Sequence, residues 1–497
     1  MIHATIRRSS DKHTISRYLN GQFIEHLGSC IYDGIWVGKE SHIPNIDGLR
    51  LSTIEALKKM AVPVIRWPGG LFADSYHWRD GIGHPGTRPI RQNLGWNSVE
   101  SNQFGTHEFM HLCELVGAEP YICLNLGSGT VEEARSWVEY CNSSLDTTIT
   151  RERAVNGHSS PFNVKFWGLG NEPGYPMDGM MRTAYYADIA RQYAGYVKHH
   201  ASRAAYKGDP RFQNSGVKII LADNRSAVDF CADGRNEYLD LIAVHLYKGM
   251  EIESDVSCEE RYMRLMSALP AWQKEIKSAC DLANRLSTAN HSVDVAVDEW
   301  GIWHKSATPM NGLRQTTSLG DALFAASFLH LIYREKKVAM ANIAQTVNVL
   351  HALILTENEQ FCLTPTYHVF DMMKQHLDGE LMNIDFSGHG NSKGRQSRSD
   401  ISMIATRQAQ RKIHITLVNP DLNISQRVRL EIPEVHDVRV TSHLLTSGEI
   451  SDANSFRNPE MICPVPHEVK IENRTIEFSQ PSKSVVLIEL AENQLSI

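Results

Sequence analysis

The sequence contains no run of about 18 apolar residues, so no segment of it is suited to cross a bilayer as a helix. Its first stretch, MIHATIRRSSDKHTISRY, is polar and lacks the apolar core of a secretory leader, which leads us to expect a cytoplasmic protein. Excess positive charge is missing as well. The 50 Lys and Arg against 57 Asp and Glu leave a net charge of −7, which offers no electrostatic case for a nucleic acid or an anionic membrane as partner. Nine cysteines are scattered without a CxxC pair, and the 23 histidines form no HExxH or similar spacing. A disulfide frame and a metal site are therefore not expected, and the thiols read as small buried hydrophobes. No GxGxxG or P-loop follows the first apolar run, so no cofactor is expected, and no internal repeat is found.

What is present is an ordinary globular composition, 42% hydrophobic and 22% charged over 497 residues. After one or two short strands in residues 1–18, apolar β-like runs alternate with amphipathic helical runs. The expected strands are 21–28, 62–70, 119–127, 164–173, 216–224, 241–247, 293–301 and 337–348. The expected helices are 51–60, 106–116, 131–140, 181–200, roughly 228–239, 259–286, 318–333 and 366–376. Eight near-continuous apolar strands, each followed by a helix, predict a closed (β/α)8 barrel. Past residue 380 the pattern changes. A Gly/Ser-rich stretch over 386–400 reads as a loop, and period-two segments follow at 401–406, 412–418, 426–432, 438–445, 468–478 and 484–490. These predict an antiparallel β-sandwich or jelly roll, which the amino-terminal strands join. The expected division is a barrel over 19–377 and a sandwich over 1–18 plus 378–497.

Polar groups cluster where the predicted barrel strands end. The stretch 164–175, VKFWGLGNEPGY, is a buried strand that delivers Asn171 and Glu172 to a tight turn flanked by Gly170 and Gly174. The first strand ends in Glu25 and His26, the second in Arg66-Trp67-Pro68-Gly69-Gly70, the sixth in His245 and Tyr247, the seventh in Asp298-Glu299-Trp300. The eighth carries Asn342 and Gln345. In a parallel barrel these ends share one rim. Glu172 and Glu299 then face each other there, and paired carboxylates are what cleavage of a glycosidic bond requires. Arg66 and Tyr247 would keep Glu299 ionised and oriented, and an ionised Glu299 would in turn keep Glu172 protonated as the acid. Asn171 suits the sugar hydroxyl beside the reacting carbon. Asp298, next to Glu299, is expected by alternation to face the other side of its strand.

The motifs GQFIEHLGSCIYDGIWVG (21–38), VPVIRWPGG (62–70), NQFGTHEF (102–109), KFWGLGNEPG (165–174), DEWGIWH (298–304) and MANIAQTVNVL (340–350) resemble glycoside hydrolase family 51, the intracellular α-L-arabinofuranosidases, over nearly the whole chain. The resemblance implies a retaining, exo-acting hydrolase that releases terminal α-L-arabinofuranosyl residues from arabino-oligosaccharides or arabinoxylan fragments. It makes Glu172 the acid/base and Glu299 the nucleophile. Glu25, Asn171 and Tyr247 would line the sugar subsite, with Trp96 as a platform for the leaving part. Arg66, Leu71, His245, Trp300 and Gln345 complete the expected substrate-binding set. A furanoside-containing oligosaccharide substrate and a homo-oligomer, hexameric by the resemblance, are implied too. One departure stands out: the family usually carries Asn or Cys after the RWPGG turn, and this chain carries Leu71. That keeps a β-D-galactofuranosidase open as an alternative. A non-catalytic carbohydrate-binding barrel is the alternative from a different class.

Overall fold

Eight parallel strands pair each with the next in chain order, and the eighth returns to pair with the first, closing a barrel. The computed structural model describes residues 1–201, 216–387, 401–409, 412–434 and 438–492. In it the barrel strands are Gly21–Phe23, Val64–Trp67, Glu119–Leu124, Phe166–Leu169, Lys218–Leu221, Leu241–Lys248, Asp294–Ile302 and Val338–Ala344. Most are shorter than the apolar runs that announce them, because the polar ends leave the ladder to build the rim. Alternation divides each strand between two cores. Val64, Tyr121, Cys123, Phe166, Ile220, Ala296 and Met340 fill the barrel interior. Their neighbours Ile65, Ile122, Trp167, Ile219, Val295 and Val297 face outward beneath the helices. Burial on both faces explains why the strands read as continuous apolar runs.

Six expected helices form within a few residues of their predicted limits. The fifth, expected over 228–239, shrinks to Ala227–Phe230 and short 3-10 turns, since Asp233 and Gly234 take positive φ values of 61° and 73°. The sixth splits into Cys258–Met266 and Leu269–Leu286, with Pro270 in the first turn of the second piece. A further helix, Thr148–Val155, had no counterpart in the sequence reading.

The carboxy-terminal strands form a ten-stranded, mostly antiparallel sheet. Inside it lies the amino-terminal strand Ile2–Arg8, which pairs antiparallel with Glu380–Ser387 on one side and parallel with Gln426–Glu431 on the other. The second amino-terminal candidate contributes just a bridge from Thr14 to Glu380. Ala4, Leu430 and Phe478 from one half of the sheet share a core with Met403, Leu417 and Ile488 from the other, so the sheet folds over on itself as a sandwich. The segment expected over 468–478 is a hairpin turned at Asn473 and Arg474, both at positive φ. Phe386 and Ser387 end a strand, and the rest of the expected loop, 388–400, lies outside the described residues.

Barrel and sandwich meet across a buried polar chain. His330 touches Ser402 Oγ at 2.9 Å and Thr416 Oγ1 at 2.7 Å, and His376 touches the same Thr416 Oγ1 at 3.0 Å and Thr406 Oγ1 at 2.8 Å. Burial holds both rings neutral: it pushes His376 down to about 3 and His330 well below the usual histidine range. Unfolding frees both to bind protons below about pH 6.5. The stability they contribute is therefore complete above that pH and is lost as pH falls towards the folded values. Stability is expected to fall steadily from about pH 6.5 to about 4.5. In His376→Gln the slope should lessen by one proton, about 1.4 kcal/mol per pH unit. An unchanged slope in denaturant titrations would remove this seam as a source of acid lability.

Candidate active site

The second barrel strand delivers a guanidinium to the centre of the rim. Arg66 is fully buried, lies 4.5 Å over the Phe23 ring, and donates from Nη1 to Glu299 Oε1 at 2.6 Å and from Nη2 to Asn171 Oδ1 at 2.9 Å. Its Nε lies 3.2 Å from Asp298 Oδ2. A buried arginine needs paired charge, and two successive carboxylates provide it. This corrects the expectation for Asp298, which faces the same side as Glu299. Pairing between the sixth and seventh strands runs from Val244↔Val297 straight to His245↔Glu299, so Asp298 is the extra residue of a β-bulge and both acids point inward. Asp298 also accepts from Tyr121 Oη at 2.8 Å and Asn342 Nδ2 at 3.0 Å, which tie it down.

Trp300, expected among the substrate-binding residues, lies away from the site. Next after the inward Glu299, its side chain points outward by regular alternation and is fully buried against Phe328 and Phe370, with no face to the rim. Trp303, half-buried, lies edge-on to Tyr247 at 5.8 Å between ring centres.

Glu299 and Glu172 sit in contrasting surroundings. Their side chains are 7% and 37% exposed respectively. Tyr247 Oη donates to Glu299 Oε2 at 2.7 Å. Burial would push Glu299 upward, but the charges of His245 and Arg66 and the hydrogen bonds from Tyr247 and Arg66 outweigh it and hold the carboxyl below its usual range. Glu172 Oε1 lies 2.9 Å from His245 Nδ1, whose other carboxylate neighbour is Glu299 Oε2 at 3.6 Å. Burial would lower His245, yet the two carboxylates raise it to about 9. One oxygen of each glutamate and a ring nitrogen of His245 lie within 4.8 Å of one another. Two carboxyls so close, one ionised and buried and the other open to solvent, suit double displacement at a glycosidic carbon. A wider gap would be needed to seat a water between them and the sugar.

Glu25 closes the opposite side. Its Oε1 accepts from Phe72 N at 3.0 Å and Trp96 Nε1 at 2.9 Å, and its Oε2 from Gln345 Nε2 at 2.8 Å. Burial pushes it up to about 7 against those donors. The glycines of the RWPGG turn are explained by close approach. A Cβ on Gly69 would fall 2.6 Å from Glu25 Cγ, and one on Gly70 would fall 3.3 Å from Glu299 Oε1. Leu71 follows, partly exposed and packed on Gly95 next to Trp96. Of the eleven residues expected at the site, all but Trp300 thus gather here.

Two acids at this rim escaped the sequence reading. Asp74 receives the backbone N–H groups of Leu126, Gly127 and Asn171 at 2.7, 3.0 and 2.8 Å, lacing three rim loops together. Asp178, fully buried, accepts from Asn171 Nδ2 at 3.0 Å. Neither sits in a motif. Each lies on a loop beyond its strand, where period says nothing.

Residues 56–257 match the family model described as α-L-arabinofuranosidase 1 domain, and residues 298–484 match the α-L-arabinofuranosidase C-terminal domain. An intracellular exo-α-L-arabinofuranosidase of Bacteroides ovatus is 36% identical over 98% of this chain and 95% of its own length. The crystal structure of the family 51 arabinofuranosidase from Xanthomonas axonopodis pv. citri is 34% identical, with a TM-score of 0.88 over 98% of this chain and 99% of that one. An α-L-arabinofuranosidase from Thermotoga maritima, solved as an arabinose complex, is 30% identical, with a TM-score of 0.86 over 98% and 99% of the two chains.

Proposed function

Since the chain belongs to the α-L-arabinofuranosidases of glycoside hydrolase family 51, we propose that it releases terminal α-L-arabinofuranosyl residues from arabino-oligosaccharides by double displacement with retention. The observation that carries this reading is the pair Glu172 and Glu299, with His245 between them, all within 4.8 Å. Glu299, kept anionic by Arg66 and His245 and oriented by Tyr247, attacks the anomeric carbon. Glu172 gives its proton to the departing oxygen and afterwards takes one from the water that frees the sugar. Asn171 holds the hydroxyl beside the reacting carbon, and Glu25, fixed by Gln345 and Trp96, takes another hydroxyl of the ring.

No helix among the described residues is long and apolar enough to cross a membrane, and the Bacteroides relative is named intracellular. Following that relative's name alone, the proposed substrates are short oligosaccharides met inside the cell. The proposed division into 19–377 and 1–18 plus 378–497 is supported by the strands: every barrel strand lies in the first span and every strand of the ten-stranded sheet in the second. A hexameric assembly belongs to the proposal by resemblance alone.

The test compares 4-nitrophenyl α-L-arabinofuranoside, β-D-galactofuranoside and β-D-xylopyranoside. The arabinofuranoside is expected to turn over fastest, with the first-formed product in the starting anomeric configuration by NMR. Leu71 is the observation that favours a second reading, because its apolar surface removes a hydrogen bond and suits a furanose with an extra carbon outside the ring. Leu71→Asn is expected to raise kcat/KM for the arabinofuranoside roughly tenfold, the worth of one regained hydrogen bond. Faster turnover of the galactofuranoside by the unmodified enzyme would transfer the assignment to that sugar.

A further inference from the structure

The amide of Asn171 is held in one orientation. A guanidinium only donates, so the atom 2.9 Å from Arg66 Nη2 is the amide oxygen and the nitrogen faces the other way. There one N–H goes to Asp178 Oδ2 at 3.0 Å, while the backbone N–H of the same residue goes to Asp74 Oδ2 at 2.8 Å. Asn171 therefore has one N–H left to give. Asp178 ends the 3-10 turn Pro176–Asp178 in the loop after the fourth strand, and Gly179 at φ 100° turns the chain away behind it. Its side chain is fully buried, and its second oxygen, Oδ1, meets no hydrogen-bonding group among the described residues. An acid buried with one oxygen unsatisfied is costly unless something in the working enzyme meets it or depends on it.

We propose that Asp178 is a positioning residue that sets sugar selectivity through Asn171, aiming its free N–H at the furanose hydroxyl next to the anomeric carbon. The inference rests on the function proposed above and adds to it the group that makes Asn171 a reader of that one hydroxyl. The charge state fits the task. Burial and the neighbouring Asp74 carboxyl push Asp178 up to about 9, so near neutral pH it is an uncharged acid. It holds the amide without adding a second anion beside Glu172 and Glu25.

A hydroxyl contact that tightens as the sugar flattens towards the transition state acts on kcat more than on KM. The experiment crosses enzyme variants with two substrates, 4-nitrophenyl α-L-arabinofuranoside and its 2-deoxy analogue. Asp178→Leu, which keeps the shape without an acceptor, and Asp178→Ala are both expected to lose roughly 30-fold in kcat on the hydroxylated substrate, and less than about threefold on the deoxy one. Asp178→Asn keeps an oxygen for Asn171 and is expected to return kcat to within about threefold of the unmodified enzyme. Equal losses on both substrates, or an asparagine variant as poor as the leucine one, would overturn the inference. If the unmodified enzyme turned over neither substrate, the functional reading itself would fall, and the inference with it.

Discussion

Replacing Glu299 with alanine is expected to cut hydrolysis of an aryl α-L-arabinofuranoside roughly 10⁴-fold or more, whatever the leaving group. The side chain is a buried, ionised carboxylate held on both oxygens at the face of the site: Arg66 grips Oε1 and Tyr247 grips Oε2. No neighbour can take over. Glu25 has both oxygens occupied by Phe72, Trp96 and Gln345, and Asp298 points at Tyr121 and Asn342. The fold should survive, because Asp298 stays beside Arg66 and its charge is not left unpaired. Azide supplied to the variant enters where the carboxylate stood and attacks once, so the product is a glycosyl azide of inverted configuration. Recovery of a retained azide would show that another group still performs the first displacement. That result would remove Glu299 from the nucleophile's role.

The barrel was legible because its strands are buried on both faces, so eight apolar runs in a row could hardly be anything else. The rim residues were legible for a related reason. A polar group such as Arg66, Glu172 or His245 placed at the end of a buried run has few places to point except the mouth. What failed was parity. Alternation around an inward Glu299 sends Asp298 outward, and one inserted residue reverses that, bringing Asp298 inward beside it. The same alternation correctly turns Trp300 out to Phe328 and Phe370, so its place at the site rested on resemblance alone. A bulge is a property of pairing between strands, and a single sequence carries no mark of its partner. Asp74 and Asp178 were missed because their partners are loop N–H groups and an amide, contacts set by tertiary approach. Glu380–Ser387 was missed although it pairs on both sides, because its adjacent Leu381 and Met382 and its exposed Phe386 break the period-two pattern.

Glu172→Ala should give a contrasting result, and the difference between the two variants separates the two roles. An oligosaccharide leaves as a poor alkoxide unless it receives a proton, so the variant is expected to lose about 10²–10⁴-fold on arabino-oligosaccharides. 2,4-Dinitrophenolate needs no such help. With that leaving group the first displacement should proceed nearly unimpaired, since Glu299 keeps Arg66, Tyr247 and the His245 ring at 3.6 Å. The second step then lacks its base. A burst of phenolate followed by slow steady turnover is the expected trace, with the glycosyl-enzyme accumulating to a mass shift of one pentosyl residue. Azide should relieve this block as well, but after two displacements, so its product retains configuration where that of Glu299→Ala is inverted. The exposure of Glu172 fits this sequence, since its carboxyl stands on the open side, where both a leaving sugar and an incoming water must pass. A variant that lost the burst as fully as it lost oligosaccharide cleavage would place the proton donor elsewhere.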